Sequence, residues 1–138
     1  MAVFPKRQRK LSLKAQADLH QNGQQLFHHP YKVYYHILPT PAGACPEPKI
    51  IVSVPKRNMK RAVDRNRVKR QMREVFRLNS SALNQELIAH RLQIELLCLY
   101  LPHEHTATST LSDKMESLLA RLTRLVAQVG ATPAVGID

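Results

Sequence analysis

The sequence predicts an α+β fold, a two-layer α/β sandwich with a small sheet covered by helices. Three observations point to it. YKVYYHIL at 31–38 alternates apolar and polar residues while KIIVSV at 49–54 and LQIELLCLYL at 92–101 run apolar over strand lengths; residues 62–77 and 110–129 repeat their apolar side chains with a helical period; and the chain order is α, β, β, basic α, short α, β, α. A chain of 138 residues is the size of one domain and can bury a core without disulfides or metals. With 43% hydrophobic and 5% aromatic residues and no Trp, that core is built mostly from Leu, Val, Ile and Ala.

Residues 1–10 hold Lys6, Arg7, Arg9 and Lys10 without an acid and read equally as a flexible basic arm or as an untethered terminus. The domain proper is expected over 11–130, with 131–138 a loose tail. Its first element is a short helix from the N-cap Ser12 to Asn22, closed by Gly23, with Leu11, Ala15 and Leu19 at four-residue spacing. In YKVYYHIL, Tyr31, Val33, Tyr35 and Ile37 take the apolar face, so Lys32, Tyr34 and His36 share the other. The connector TPAGACPEP, with Pro39 just before it, is broken by Pro39, Pro41, Pro46 and Pro48, and KIIVSV then reads as a buried strand. After the basic segment, Leu83, Leu87 and Ile88 mark a brief helix, and LQIELLCLYL is the most apolar run and the best central strand. The last helix, 110–129, lines up Leu111, Met115, Leu118, Leu122, Leu125, Val126 and Val129, with Thr110 and Asp113 as a capping box and Gly130 as its stop.

The densest chemical signal lies between Lys56 and Arg77. This stretch carries ten of the 21 Lys and Arg residues against two acids, Asp64 and Glu74, in a chain of net charge +11. At about 100° per residue, Val68, Met72, Val75 and Phe76 fall on one stripe, while Arg65, Asn66, Arg67, Lys69, Arg70, Arg73 and Arg77 occupy the flank and the opposite face. A solvated helix face is the ordinary reading of such a pattern. Here, however, too few acids are present to neutralise the charge by pairing along the helix, and a surface of one sign is the footprint of a polyanion.

Residues Ser53 to Arg77, SVPKRNMKRAVDRNRVKRQMREVFR, resemble the signature of the protein subunit of bacterial ribonuclease P. That signature is a strand ending in Ser-Val-x-Lys-Lys/Arg, followed by Ala-Val-x-Arg-Asn-Arg-x-Lys-Arg and Arg-Glu-x-x-Arg. Arg65-Asn66-Arg67, Lys69-Arg70 and Arg73 match it residue for residue. LHQNG at 19–23 and YKVYYHIL resemble, more weakly, the family's first helix end and first strand. The resemblance implies a mostly antiparallel four-stranded sheet with helices on one face and a left-handed crossover through the basic helix. It also implies a protein that binds a catalytic RNA and the 5′ leader of precursor tRNA, in support of tRNA 5′ maturation.

By this reading the RNA-binding residues are Lys56, Arg57, Lys60, Arg61, Arg65, Asn66, Arg67, Lys69, Arg70, Arg73 and Arg77, and the leader-binding cleft holds Gln16, His20, Lys32, Tyr34 and His36. The chain departs from the family where Lys60-Arg61 replaces a Gly-Asn pair, after a loop longer by one residue, and where Gln16 and His20 stand at first-helix positions usually aromatic. Tyr34 is then the expected aromatic of the cleft. Arg65, Arg67 and Arg70 all point away from the apolar stripe, so replacing any of them is expected to leave the fold intact.

Catalytic constellations fail. The ten acids are scattered, no Gly-rich phosphate loop exists, and His28-His29 and His103-x-His105 read as loop histidines without acidic partners. No catalytic residue, metal ligand or protein-bound cofactor is assigned; Mg²⁺ is expected with the RNA. Asp64 reads as a first-turn carboxylate favoured by the helix dipole. Cys45 and Cys98 are 53 positions apart and are expected to stay reduced. No signal-peptide pattern or apolar run near 18 residues occurs, so the cytoplasm is the expected compartment, with no membrane and no obligatory protein partner. Two other readings remain from the residues: a structural RNA-binding protein of ribosomal type, and a self-sufficient metal-dependent endonuclease, which the missing constellation disfavours.

Overall fold

A computed structural model describes residues 13–131, so the expected basic arm, Leu11, the Ser12 cap and the tail beyond Ala131 lie outside the described residues. The elements are α1 (Leu13–Asn22), β1 (Gln24–His28), β2 (Tyr31–Pro39), β3 (Pro48–Ser53), α2 (Ala62–Asn79), α3 (Ser81–His90), β4 (Leu92–Tyr100) and α4 (Thr108–Ala131). They form one four-stranded sheet in the order β1-β2-β4-β3. The β1–β2 and β2–β4 pairs are antiparallel, whereas β3 and β4 are parallel. The sheet is therefore mixed, and the parallel pair is joined by the long path through α2 and α3 that such neighbours require.

β4 is central, as its apolar run predicts, and its alternate residues face two layers. Ile94, Leu96 and Cys98 join Val33, Tyr35, Ile50 and Val52 in the main core, which Val68, Met72, Val75 and Phe76 of α2, Leu83 and Leu87 of α3, and Leu111, Met115, Leu118 and Leu122 of α4 complete. All four residues of the predicted α2 stripe are buried. Tyr31, at the end of β2, reaches through this core to donate its phenol O–H to the Leu111 carbonyl at 2.9 Å.

The sheet's other face is not bare. Leu19 of α1 packs there on Tyr34 and Leu97, with Ala15, Ile51 and Leu99 around them. The expectation of helices on one face holds for α2, α3 and α4, while α1 crosses the opposite side. A ten-residue helix is too short to persist alone in water, so α1 depends on this contact. Full burial of Leu19 contributes roughly 1.5–3 kcal/mol to it.

Three further elements differ from the sequence expectation. Strand β1 was not visible in the sequence as a strand, because only Leu26 points into the core and Gln24 and Gln25 are polar and exposed. It lies at the sheet edge, where one neighbour is enough to hold it. Helix α4 starts at Thr108, two residues before the expected Thr110–Asp113 box, and runs through Gly130. Gly130 is thus no stop; a Cβ there would overlap the His90 ring, so its bareness lets the end of α4 pass the end of α3. Ile88 of α3 and Val129 of α4, both counted as apolar stripe residues, are exposed. Cys45 and Cys98 are free, the first exposed and the second buried.

Candidate RNA interface

The turn between β3 and α2 is built from inside. Asn58 and Met59 donate their backbone N–H groups to the Pro55 carbonyl at 3.0 and 3.2 Å. Met59 is buried in the main core, and the Asn58 side-chain amide donates to the carbonyls of Tyr100 and Leu101 at 3.2 and 3.0 Å, tying the turn to the end of β4. Arg65 holds it from the helix side: Nη1 donates to the carbonyls of Met59 at 3.0 Å and Lys60 at 2.7 Å. With its interior fixed, the turn presents Lys56, Arg57, Lys60 and Arg61 to solvent. Fixing the backbone that carries these cations lowers the entropy lost when phosphates bind.

The outward face of α2 continues this surface. Asn66, Arg67 and Arg70 are exposed, and Lys69, Arg73 and Arg77 are partly exposed along its flanks. Two cations are already matched within the helix. Arg61 Nε donates to Asp64 Oδ2 at 3.0 Å, and Arg77 grips Glu74 through both Nε and Nη2, the former at 3.2 Å. Asp64 Oδ1 also meets His105 Nε2 at 3.1 Å, and that hydrogen bond, with the Arg61 charge, holds its carboxyl below the usual range. Asp64 thus sits in the first turn of α2 as expected and in addition fastens α2 to the loop after β4. His105 therefore has an acidic partner, 41 positions away, and His28 lies in strand β1 rather than in a loop.

Arg65 departs from expectation. Its guanidinium braces the turn, so along α2 the exposed arginines are Arg67 and Arg70. Arg67→Ala should weaken RNA binding by roughly 1–3 kcal/mol with no change in melting temperature, as for one charge-assisted contact. Arg65→Ala should weaken binding and also lower the melting temperature, because two carbonyls lose their donor. Thermal melts beside RNA titrations separate the two; an Arg65→Ala protein as stable as the wild type would show that the brace is idle.

On the α1 side of the sheet the register lays out three rows. Phe27, Lys32, Leu99 and Ser53 form the first, Gln25, Tyr34, Leu97 and Ile51 the second, and His36, Glu95 and Lys49 the third. Helix α1 covers the second row through Leu19 and meets the third through Asp18, whose Oδ2 lies 3.7 Å from His36 Nδ1; Glu95 Oε1 is 3.9 Å from the same nitrogen. All five expected cleft residues thus belong to α1 or to the strand facing it. Their roles are not those expected from alternation alone. Tyr34 is only 6% exposed, with the His20 ring 5.0 Å from its own and Lys32 Nζ 5.3 Å from its centroid. It is roofed by its neighbours and has no open face for a base. His20 is the exposed ring of that stack, and Gln16 is partly exposed one turn earlier.

Asp18 and Glu95 of the third row border an open cavity of about 590 Å³ that Lys14 and Gln21 of α1 also line. Among the described residues, no three His, Cys, Asp or Glu side chains gather into a set that could hold a metal ion. No helix among them is long and apolar enough to cross a membrane.

A braced basic turn leading into an amphipathic basic helix, over a mixed four-stranded sheet, is what the signature residues build. The family model described as Ribonuclease P matches residues 4–123, most of the chain. The chain belongs to the Ribonuclease P family. Within that family, the ribonuclease P protein component of Porphyromonas gingivalis is 36% identical over 73 residues, 53% of this chain and 53% of that protein. That of Idiomarina loihiensis is 68% identical over 31 residues, 22% of this chain and 25% of the relative. The chain thus spans about half the length of the Porphyromonas relative that it matches. Among solved structures, the ribonuclease P protein of Staphylococcus aureus superposes with a TM-score of 0.62 at 20% identity, over 85% of this chain and 96% of that one. The protein from Thermotoga maritima gives 0.62 at 19% identity, over 82% and 96%. At these identities the two structures establish a shared ribonuclease P protein fold.

Sequence reasoning missed Asn58, Met59 and Phe27. Met59, a lone apolar residue among four cations, was a readable sign of a side chain turned inward. The carbonyls that Asn58 satisfies lie 42 and 43 positions away, and nothing in the local sequence points to them.

Proposed function

We propose that this chain is the protein subunit of a ribonuclease P ribonucleoprotein, binding the catalytic RNA and the 5′ leader of precursor tRNA and so supporting endonucleolytic maturation of the tRNA 5′ end. The observation that carries this reading is the braced turn at 54–61 feeding Asn66, Arg67 and Arg70 on α2, a rigid cationic surface made by the signature residues themselves. Arginine suits the task because its planar fork takes phosphate oxygens two at a time, while such contacts position the RNA without reading its sequence. On the opposite side of the sheet, the cleft beside α1 offers Lys32 and His20 to a single strand.

Catalysis on this reading belongs to the RNA subunit and its Mg²⁺ ions. This reading is supported by the absence, among the described residues, of any group of three His, Cys, Asp or Glu side chains that could hold a metal ion; the two carboxylates that do come together, Asp18 and Glu95, flank His36. The protein's contribution is to neutralise phosphate repulsion and to hold substrate against the RNA, in the cytoplasm, with no other protein subunit required. RNA-free protein mixed with precursor tRNA and Mg²⁺ should release no leader, and adding the cognate catalytic RNA should produce cleavage at the mature 5′ end. Cleavage by rigorously RNA-free protein would sink the proposal. So would purification from cells with ribosomal RNA alone as the bound species.

A further inference from the structure

We infer that Phe27 is a base-stacking residue for the single-stranded leader, an inference that rests on the leader-binding reading above. Phe27 is 62% exposed on β1, and the register places it directly opposite Lys32, at the end of its row away from Leu99, which packs in the α1 cluster. Directly paired residues on one sheet face have their Cβ atoms about 5 Å apart, so a nucleotide stacked on the Phe27 ring comes within reach of the Lys32 ammonium, which stands over the neighbouring Tyr34 ring. The same row ends at Ser53 of β3, from which the chain turns into Lys56 and Arg57. Three interstrand spacings, roughly 14 Å, thus connect an exposed aromatic at one sheet edge to the basic turn at the other, with Lys32 between them.

A solitary exposed Phe is ordinarily a surface residue without a task. Two features argue otherwise. The cleft's expected aromatic, Tyr34, is roofed over, so Phe27 is the open ring that the strands themselves present on this face, apart from the exposed His20 ring of α1. In addition, the end of β1 is fastened from beneath: Arg121 Nη1 of α4 donates to the Phe27 carbonyl at 3.1 Å and to His28 Nδ1 at 3.0 Å. Burial, and then the charges of Arg121 and Lys114, lower the His28 pKa, which disfavours a charged ring beside the guanidinium. An edge strand held in this way presents its ring in one place. The charge distribution favours an anionic occupant. In the third row the acids Asp18 and Glu95 stand against Lys49 and Lys14, whereas the Phe27 row carries Lys32 with no acid and leads to the basic turn, so the favoured path for an anionic strand runs along the Phe27 row.

The test uses the holoenzyme reconstituted with its cognate RNA and two ligands, precursor tRNA with a long leader and mature tRNA without one. Wild type should bind the first more tightly. Phe27→Ala should lose about tenfold in affinity for precursor tRNA and almost none for mature tRNA, and Phe27→Tyr should restore the difference where Phe27→Leu does not, because every base stacks on a flat ring. Full leader preference in Phe27→Ala would overturn the assignment while leaving the leader reading intact. No leader preference in wild type would overturn the leader reading and the assignment with it. A Phe27→Ala change that abolishes self-association of the protein but not leader preference would mark the strand edge as a contact between copies and also overturn it.

Discussion

Raising monovalent salt from about 50 to 200 mM should weaken binding of the catalytic RNA by about a thousandfold or more if six or more cations take phosphates, since each neutralised phosphate adds roughly 0.9 to the slope of log affinity against log salt. Lys56, Arg57, Lys60, Arg67 and Arg70 are outward cations of the turn and α2, and Arg65, Lys69 and Arg73 flank them. Arg61 and Arg77 already share their charge with Asp64 and Glu74. The structure therefore ranks residues by slope as well as by affinity. Arg67→Ala should reduce the slope by about one, as for a full phosphate contact. Arg77→Ala should reduce it by less, because its guanidinium is already engaged by Glu74 and makes less than a full phosphate contact. Filter-binding or fluorescence titrations at four or five salt concentrations suffice to measure both. A nearly flat plot for the wild-type protein would refute the electrostatic account of this surface, and equal slope changes for the two variants would refute the ranking.

The second large effect concerns stability at high pH. Cys98, fully enclosed between the sheet and α4, has its thiol pushed up by burial from an ordinary 9.0 to about 12. Tyr31 is raised far above its ordinary 10.0 by burial first, with its O–H committed to the Leu111 carbonyl. In both cases the folded protein holds a proton that the unfolded chain releases more readily. Their contribution to stability is complete below the unfolded value and is lost as pH climbs toward the folded one. For Cys98 the loss should begin near pH 9 and amount to about 4 kcal/mol by pH 12, with Tyr31 adding to it above pH 10. Chemical denaturation at a series of pH values should show the wild-type midpoint falling steeply over this window. Cys98→Ala should start lower at pH 7, because its core is less full, and then fall more gently. Deprotonation of surface lysines affects both proteins alike, so parallel curves would mean that Cys98 ionises as easily folded as unfolded.

The parts of this molecule that could be read from the sequence are those where one period meets one neighbour. Val68, Met72, Val75 and Phe76 mark the inner face of α2 because a single layer covers them, and the cationic face follows by exclusion. In β2, alternation correctly sorted Tyr34 with Lys32 and His36, yet it could not show that a helix 12 residues earlier would cover the tyrosine. Facing is a local property of a strand, whereas coverage depends on what folds back over it. Strand β1 was unreadable for a related reason: an edge strand needs only Leu26 inward, and Phe27 stayed unnoticed until its pairing with Lys32 was known. For Arg65, the helical wheel placed it off the apolar stripe but could not reveal the two carbonyls of the preceding turn within its reach.

The parallel pairing of β3 with β4 has a consequence for how the chain is made. Helix α2 lies in sequence between two strands that are neighbours in the sheet, and the strand that completes its seat, β4, ends at Tyr100, 21 residues after α2 ends at Asn79. At a synthesis rate of about 5–20 residues per second, β4 follows α2 out of the ribosome by roughly 1–4 s. During that interval Val68, Met72, Val75 and Phe76 have no complete core to enter, while the cations on the other side of α2 are fully available. The nascent chain therefore displays its densest cluster of cations before it possesses the geometry that orients them, and it does so beside the ribosome, itself a dense polyanion.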